Sequence, residues 1–331
     1  MTFCKELILL ETNMHWLKLF IILWIPLSGI VFSQDFPNKP VRVVVPFPPG
    51  GGGDVLMRPL SKRLSEILGQ SIVIDNKPGA NGNIGAAYVA KALPDGYTLL
   101  LGNSSIPISV GLYNQLGYDP LKELSMIGLV GIAPSTLVSN PAFSPKTMSE
   151  LILYAKNNPG RVNYASAGSG STPHLAIEML KMVTGTNFTH VPYKGGGPAV
   201  AAVLGGEVQI LVTNTSTILT QVQAGKLHPI AVTSLKRSPI MANVPTMAET
   251  IPGFEIKTWY GLMGPANIPK EIILRLNQVI VQAVNTPELK NQLVQMGYEP
   301  ESSSPEILSK LLKDDIVQWG QVVRASGAKV D

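Results

Sequence analysis

An α/β fold divided into two domains is predicted by three features of this sequence. Strand-like and helix-like segments alternate from Val41 onward, two apolar crossings interrupt the alternation at residues 126–141 and 258–265, and a strand–glycine loop–helix pattern occurs on each side of the first crossing. A length of 331 residues suits two domains or one large one. Hydrophobic residues make up 45% and charged ones 15%, which supports a sizeable core and argues against global disorder.

The N-terminal stretch stands apart. Lys18 flanks an apolar run from Leu19 to Phe32, about 14 residues, short of the ~20 that span a bilayer. It reads as a secretory signal peptide over residues 1–33, with Val31-Phe32-Ser33 as the cleavage signature and Met14 as an alternative start. A buried N-terminal helix is the competing reading. Cleavage removes Cys4, the only cysteine, so disulfides, thiolate metal sites and cysteine nucleophiles are excluded from the mature chain. A soluble protein exported to the periplasm is expected.

The first element, "VRVVVPF", is a near-continuous apolar run, as in a strand covered on both faces. Apolar residues at 56, 60, 64, 67 and 68 give a helix from Asp54 to Leu68, which Pro59 is expected to delay or kink. "SIVID" reads as a strand, "NKPGANGN" as a loop, "IGAAYVAKAL" as a helix and "TLLLGNSS" as a buried strand. In "MIGLVGIAPSTLVSNP" two short apolar runs follow each other without a helix, as in a crossing between domains. Beyond it, helices ("TMSELILYAKNNPG", "TPHLAIEMLKMV", "GPAVAAVLGG", "ILTQVQAG") alternate with strands ("RVNYAS", "FTHVPY", "VQILVTN", "LHPIAVTS"). "TWYGLMGP" is the return crossing, and three helical segments follow. The last presents Ile307, Leu308, Leu311, Leu312, Ile316, Trp319 and Val323 on one face. The sheets are expected to be mostly parallel.

The chemistry is narrow. "PPGGGGD" lacks the Lys and Ser/Thr of a P-loop, and its glycine run meets the dinucleotide pattern only trivially. A glycine loop opening a helix offers backbone N–H groups to an anion. A tight turn without ligand is the plain alternative. Asp54 reads as the cap of the following helix, since a bare carboxylate would repel an anion. "SAGSGSTPHLA" lacks the G-x-S-x-G elbow, and His174 on the helix after Ser171 cannot easily reach that hydroxyl, so no triad assembles. His174 and Glu178, four apart, have no third metal ligand in view. The net charge of +4 is scattered and aromatics are 6%, which excludes a nucleic-acid platform. No cofactor, no metal and no catalytic residue is expected; the protein binds and is not an enzyme.

The blocks "VRVVVPFPPGGGGD", "NKPGANGNIGAAYVAKALPDGYTLLLGNSS", "NYASAGSGSTPHLA", "HVPYKGGGPAVAAVLGGEVQ", "QAGKLHPIAVTSLKRSP", "VPTMAE" and "GLMGPANIPKEIILRLN" resemble, in order from about Phe36 to the C-terminus, the Bug family. These are the extracytoplasmic receptors of tripartite tricarboxylate transporters. The resemblance implies a periplasmic-binding-protein-like fold of type II, a Venus flytrap with its ligand cleft between two domains. Domain 1 is expected to comprise residues 36–133 plus 257–331, and domain 2 residues 134–256. By matching motif, a ligand carboxylate is expected against Phe47, Gly51, Gly52, Gly53 and Asp54 of the first loop. Ser166, Ser169, Gly170, Ser171 and Thr172 match the second loop, and Ser104 and Asn214 the cleft edge. Plain loop capping is the competing role for Ser104 and Asn214. The sequence departs from the family at Thr213, where many relatives carry Asp, and at Gly52 and Gly53, where they often carry Ala, Thr or Ser. The ligand is expected to be a small carboxylate: a di- or tricarboxylate, an amino acid or an aromatic acid. A monomer delivering to the membrane subunits of such a transporter is the favoured reading; a receptor that signals to a membrane sensor is the alternative, and a serine hydrolase ranks below both.

Overall fold

The computed structural model describes residues 36–328. The signal segment, its cleavage site, Met14 and Cys4 lie outside the described residues.

The first lobe is built on β1 (Val41–Val45), which pairs in parallel with β2 (Ile72–Asn76) on one side and β3 (Thr98–Asn103) on the other. All of β1 except Arg42 is buried, as its unbroken valine run requires. Between β1 and β2 lies α1 (Gly52–Leu68), and between β2 and β3 lies α2 (Asn83–Ala90). Two expectations about α1 are corrected. It runs unbroken through Pro59, and it begins two residues before Asp54, with Gly51 as its N-cap. Burying Leu56, Met57, Leu60, Leu64 and Leu68 at roughly 1.5–3 kcal/mol each outweighs the roughly 3 kcal/mol cost of an interior proline.

Helix α3 (Ser105–Leu112) follows β3 directly and was not expected from the sequence. Most of its residues are buried, Ser105 and Ser109 included, so no amphipathic period marks it.

The two apolar runs of the first crossing form one strand, β4 (Leu124–Ser139), rather than two. Leu124–Pro134 pairs antiparallel with β9 (Lys257–Pro265); Ser135–Ser139 pairs antiparallel with β7 (Ile210–Asn214), and Thr136–Ser139 also with β8 (His228–Val232). The change of partner falls between Pro134 and Ser135. Register shifts between Met126 and Gly128 and between Leu129 and Gly131 break the alternation of the strand. They are why its sequence reads as two pieces. The second lobe continues with β5 (Val162–Ser166), parallel to both β6 (Phe188–Pro192) and β7. Parallel pairing is thus confined to the two wings. All pairings of β4 and β9 are antiparallel, which corrects the expectation of mostly parallel sheets.

Helices α4 (Met148–Asn157), α5 (Thr172–Thr184), α6 (Gly196–Leu204) and α7 (Thr215–Gln223) cover the second wing. After β9 come α8 (Lys270–Val284), α9 (Pro287–Gln295) and α10 (Pro305–Ser326). The apolar face of α10 serves both lobes. Leu308 and Leu312 join the core of Val44, Leu100 and Trp259, whereas Trp319, Val322 and Val323 join that of Tyr164, Leu175 and Leu180. Ile108 and Leu112 of α3 also enter the second core.

Candidate ligand-binding cleft

The first loop turns at Gly50, whose φ of +80° is a left-handed value that glycine adopts without strain. Gly51, Gly52 and Gly53 have no such φ values, so within this loop only Gly50 needs glycine for its backbone conformation. Their demand is for space. A Cβ on Gly52 would lie 2.9 Å from the Tyr260 hydroxyl and 3.3 Å from Asn214 Nδ2. On Gly53 it would lie 3.2 Å from both Leu101 and the Tyr260 ring. Two of the four glycines therefore let the first turn of α1 approach the crossing strand β9.

Asp54 is fully buried in that first turn. Its carboxylate accepts from Gly50 N–H (2.9 Å), from Arg58 Nε (2.9 Å) and Nη2 (3.2 Å), and from Asn76 Nδ2 (3.3 Å). Asp54 is not the N-cap expected from the sequence; it reaches back to the loop and braces it. Burial pushes its carboxyl upward, but the Gly50 N–H, Arg58 and Asn76 together hold it below the ordinary aspartate value. Asn76 also donates to the Phe47 carbonyl (3.0 Å), so both ends of the loop are tied to β2.

What the structure brings against the first loop is the end of β7. Asn214 Nδ2 faces Gly52, and its Oδ1 accepts from Ser135 Oγ (3.4 Å). Tyr298, in the turn between α9 and α10, donates from its hydroxyl to the Gly52 carbonyl (2.8 Å). Burial raises both tyrosines: Tyr298 is pushed up to about 12, and Tyr260 goes beyond the ordinary range, with the neighbouring Tyr298 adding to the effect. Both remain neutral donors at any physiological pH. Tyr260 and Tyr298 were not singled out in the sequence; "TWYGLMGP" reads only as a crossing, and nothing near "GYEP" links residue 298 to a loop 246 positions away.

The second loop has a different support. Ser171 is the N-cap of α5, yet its hydroxyl accepts nothing from the helix and instead donates to the Gly168 carbonyl (2.6 Å). Ser169 is exposed and Thr172 half-buried. Gly170 has φ +74°, and a side chain there would run into Leu112 of α3. Its N–H donates to His174 Nδ1 (3.0 Å). Ser166 is fully buried, and its Oγ lies 2.6 Å from His190 Nε2. A serine–histidine contact that the sequence motifs do not predict therefore exists, but the serine is shut off from solvent. His190 is held down to about 4, by burial first and then by the neighbouring His174. Ser104 is likewise fully buried: it donates to the Lys257 carbonyl and accepts from Trp259 N–H, both at 3.0 Å, which fastens α3 to β9.

The first turn of α1 thus leaves backbone N–H groups without intrahelical partners, beside the neutral Tyr260 hydroxyl and the Asn214 amide, while the Tyr298 proton is already given to the Gly52 carbonyl. Such a set donates hydrogen bonds to an oxyanion and offers no base to take a proton. Among the described residues, no cluster of three or more metal-ligating side chains occurs.

Two α/β lobes linked by long shared strands, with a donor-rich helix start at the join, define a two-domain solute-binding protein of the periplasmic binding protein fold. The chain belongs to the tripartite tricarboxylate transporter family receptors, whose family model matches residues 56–328. It is similar to Protein BugT of Bordetella pertussis, at 37% identity over 96% of this chain and 99% of that protein. Among solved structures it resembles R. palustris Rpa4515 with adipate, at 35% identity and a TM-score of 0.80, covering 89% of this chain and 99% of the other. MatC from Rhodopseudomonas palustris with bound malate is 31% identical with a TM-score of 0.75, covering 87% of this chain and 100% of that one.

Proposed function

We propose that this chain is a periplasmic receptor that captures a small carboxylate, a dicarboxylate foremost, and delivers it to the membrane subunits of a tripartite tricarboxylate transporter. The observation that carries this reading is the Gly52 turn: a helix start stripped of side chains and ringed by Tyr260, Tyr298 and Asn214. A carboxylate there gains charge-assisted hydrogen bonds of roughly 1.5–3 kcal/mol each. The adipate and malate held by two relatives support the same ligand class.

In this reading Gly51, Gly52 and Gly53 present the backbone and Asn214 reaches across from the other lobe. Phe47 walls the first loop. Ser166, Ser169, Gly170, Ser171 and Thr172 form the opposing cradle, mainly through backbone groups. Asp54 and Ser104 act indirectly, by bracing α1 and fixing α3. The lobes divide as residues 36–133 plus 257–331 and residues 134–256, with α10 riding on both.

A thermal-shift screen over carboxylates tests this, because a ligand that binds only the folded state raises the melting temperature. Adipate, malate or a related acid should give the shift. A shift from neutral sugars alone would overturn the proposal.

A further inference from the structure

Beneath the second loop lies a cluster of three rings. His174 and His190 are 4.0 Å apart between centroids and 11° from parallel; Tyr164 packs beside the pair, 4.8 Å from His190 at 20° and 6.2 Å from His174 at 14°. Both histidines hold the loop directly, His174 through Gly170 N–H and His190 through Ser166 Oγ. A backbone N–H can only donate, so Nδ1 of His174 must carry a lone pair and the ring proton must sit on Nε2. A second proton on that ring would set one N–H against another and release Gly170. Gly170 has no easy alternative position, being buried at a left-handed φ against Leu112.

We propose that His174, packed against His190, is a positioning residue that holds the 166–172 loop in its ligand-receiving shape only while its ring is neutral, so that affinity falls on acidification. The effect on affinity rests on the proposed role of that loop in carboxylate binding.

Among the described residues, the charged and titratable groups facing the pair are Glu178 and Lys181 from α5 and Tyr164 from β5. Glu178 Oε1 lies 4.0 Å from His174 Nε2 and favours a proton there. That pull is weakened because the same oxygen accepts from Lys181 Nζ (2.8 Å) and from the Tyr164 hydroxyl (2.6 Å). Burial opposes protonation of His174 most, with Lys181 adding to it, and the ring is held below the ordinary histidine value. At 4.0 Å separation the two rings cannot both be charged without strong mutual repulsion. The pair therefore stays neutral at pH 7 and takes up a proton only in acid.

The test compares the wild type with His174→Asn, whose Oδ1 keeps an acceptor near the Nδ1 position without titrating, and with His174→Leu, which offers none. In ligand-free protein the Gly170 amide resonance should shift with the His174 ring titration in the wild type and stay still in His174→Asn. Adipate affinity by calorimetry should fall between pH 7 and pH 4.5 at least tenfold more in the wild type than in His174→Asn, which subtracts the titration of adipate itself. His174→Leu should bind weakly at both pH values, and His174→Asn should restore most of that loss. A Gly170 amide that ignores the His174 titration, or parallel loss of affinity in wild type and His174→Asn, would overturn the proposal. If adipate binds none of the proteins, the carboxylate reading fails, and the amide titration alone still decides the positioning role.

Discussion

The loops at residues 47–54 and 166–172 share one grammar of strand, glycine-rich turn and helix, yet they are held by different chemistry. The first is clamped by a carboxylate–guanidinium pair, Asp54 with Arg58, reinforced by Asn76. The second rests on two stacked imidazoles. Their charge states move oppositely to the ordinary residue: Asp54 is stabilised as the anion, and the histidines as the neutral form. For Asp54, whose folded value is depressed, the contribution to stability is present above 3.8 and lost only as pH falls through that lower value. For His190, also depressed, it is present above 6.5 and is lost as pH falls from there towards about 4. The second loop should therefore loosen in mild acid while the first still holds. Similar sequence patterns can conceal supports with different pH limits.

The comparison can be broken most severely at the first loop. Gly52→Val should weaken adipate binding by more than tenfold in calorimetric titration, since its Cβ alone would stand 2.9 Å from the Tyr260 hydroxyl and even one lost charge-assisted hydrogen bond costs about 1.5–3 kcal/mol. The protein should remain folded by circular dichroism. Wild-type affinity in folded Gly52→Val would reduce "PPGGGGD" to a turn.

Asp54→Ala should come next, lowering stability by roughly 2 kcal/mol in urea unfolding at pH 7, because Arg58 is largely exposed and loses little while the loop loses its brace. Acidification should narrow the gap between variant and wild type only near the bottom of the pH range.

Tyr298→Phe removes one neutral hydrogen bond to the Gly52 carbonyl. A cost of about 0.5–1.5 kcal/mol in urea unfolding is expected, and adipate affinity should fall only as far as the Gly52 turn shifts. The smallest effect is expected for Ser171→Ala: its hydroxyl serves the Gly168 carbonyl inside its own loop, so affinity should change by less than about threefold, under roughly 0.7 kcal/mol. A larger loss would show that the second loop binds through its hydroxyls, and the two loops would then differ in ligand contacts as well as in support.

Much of the fold was legible because its period is local. The valines of β1, the apolar face of α10 and the paired glycine loops each announce an element within a dozen residues. The first loop's glycines pointed to an anion as the close neighbour; that Tyr260 also packs against Gly52 and Gly53 was not legible. Helix α3 was not legible, since a segment buried on nearly every side loses the polar face that gives a helix its signature. Nor was the continuity of β4, whose register shifts interrupt its alternation. Asp54 was recognised as belonging to the helix start, but its bond to Gly50 depends on a turn whose direction the sequence does not state.

By itself the sequence determined the two α/β lobes, the glycine-started helices and the lack of a serine-elbow or P-loop motif, because these follow from spacing along the chain. Only the tertiary structure decided that Tyr298 meets Gly52, that Asn214 faces it from the other lobe, and that His174 stacks on His190. Those contacts join residues separated by loops, strands and whole lobes. Their distances are fixed by how the sheets and helices pack, and no local pattern of residues carries that information.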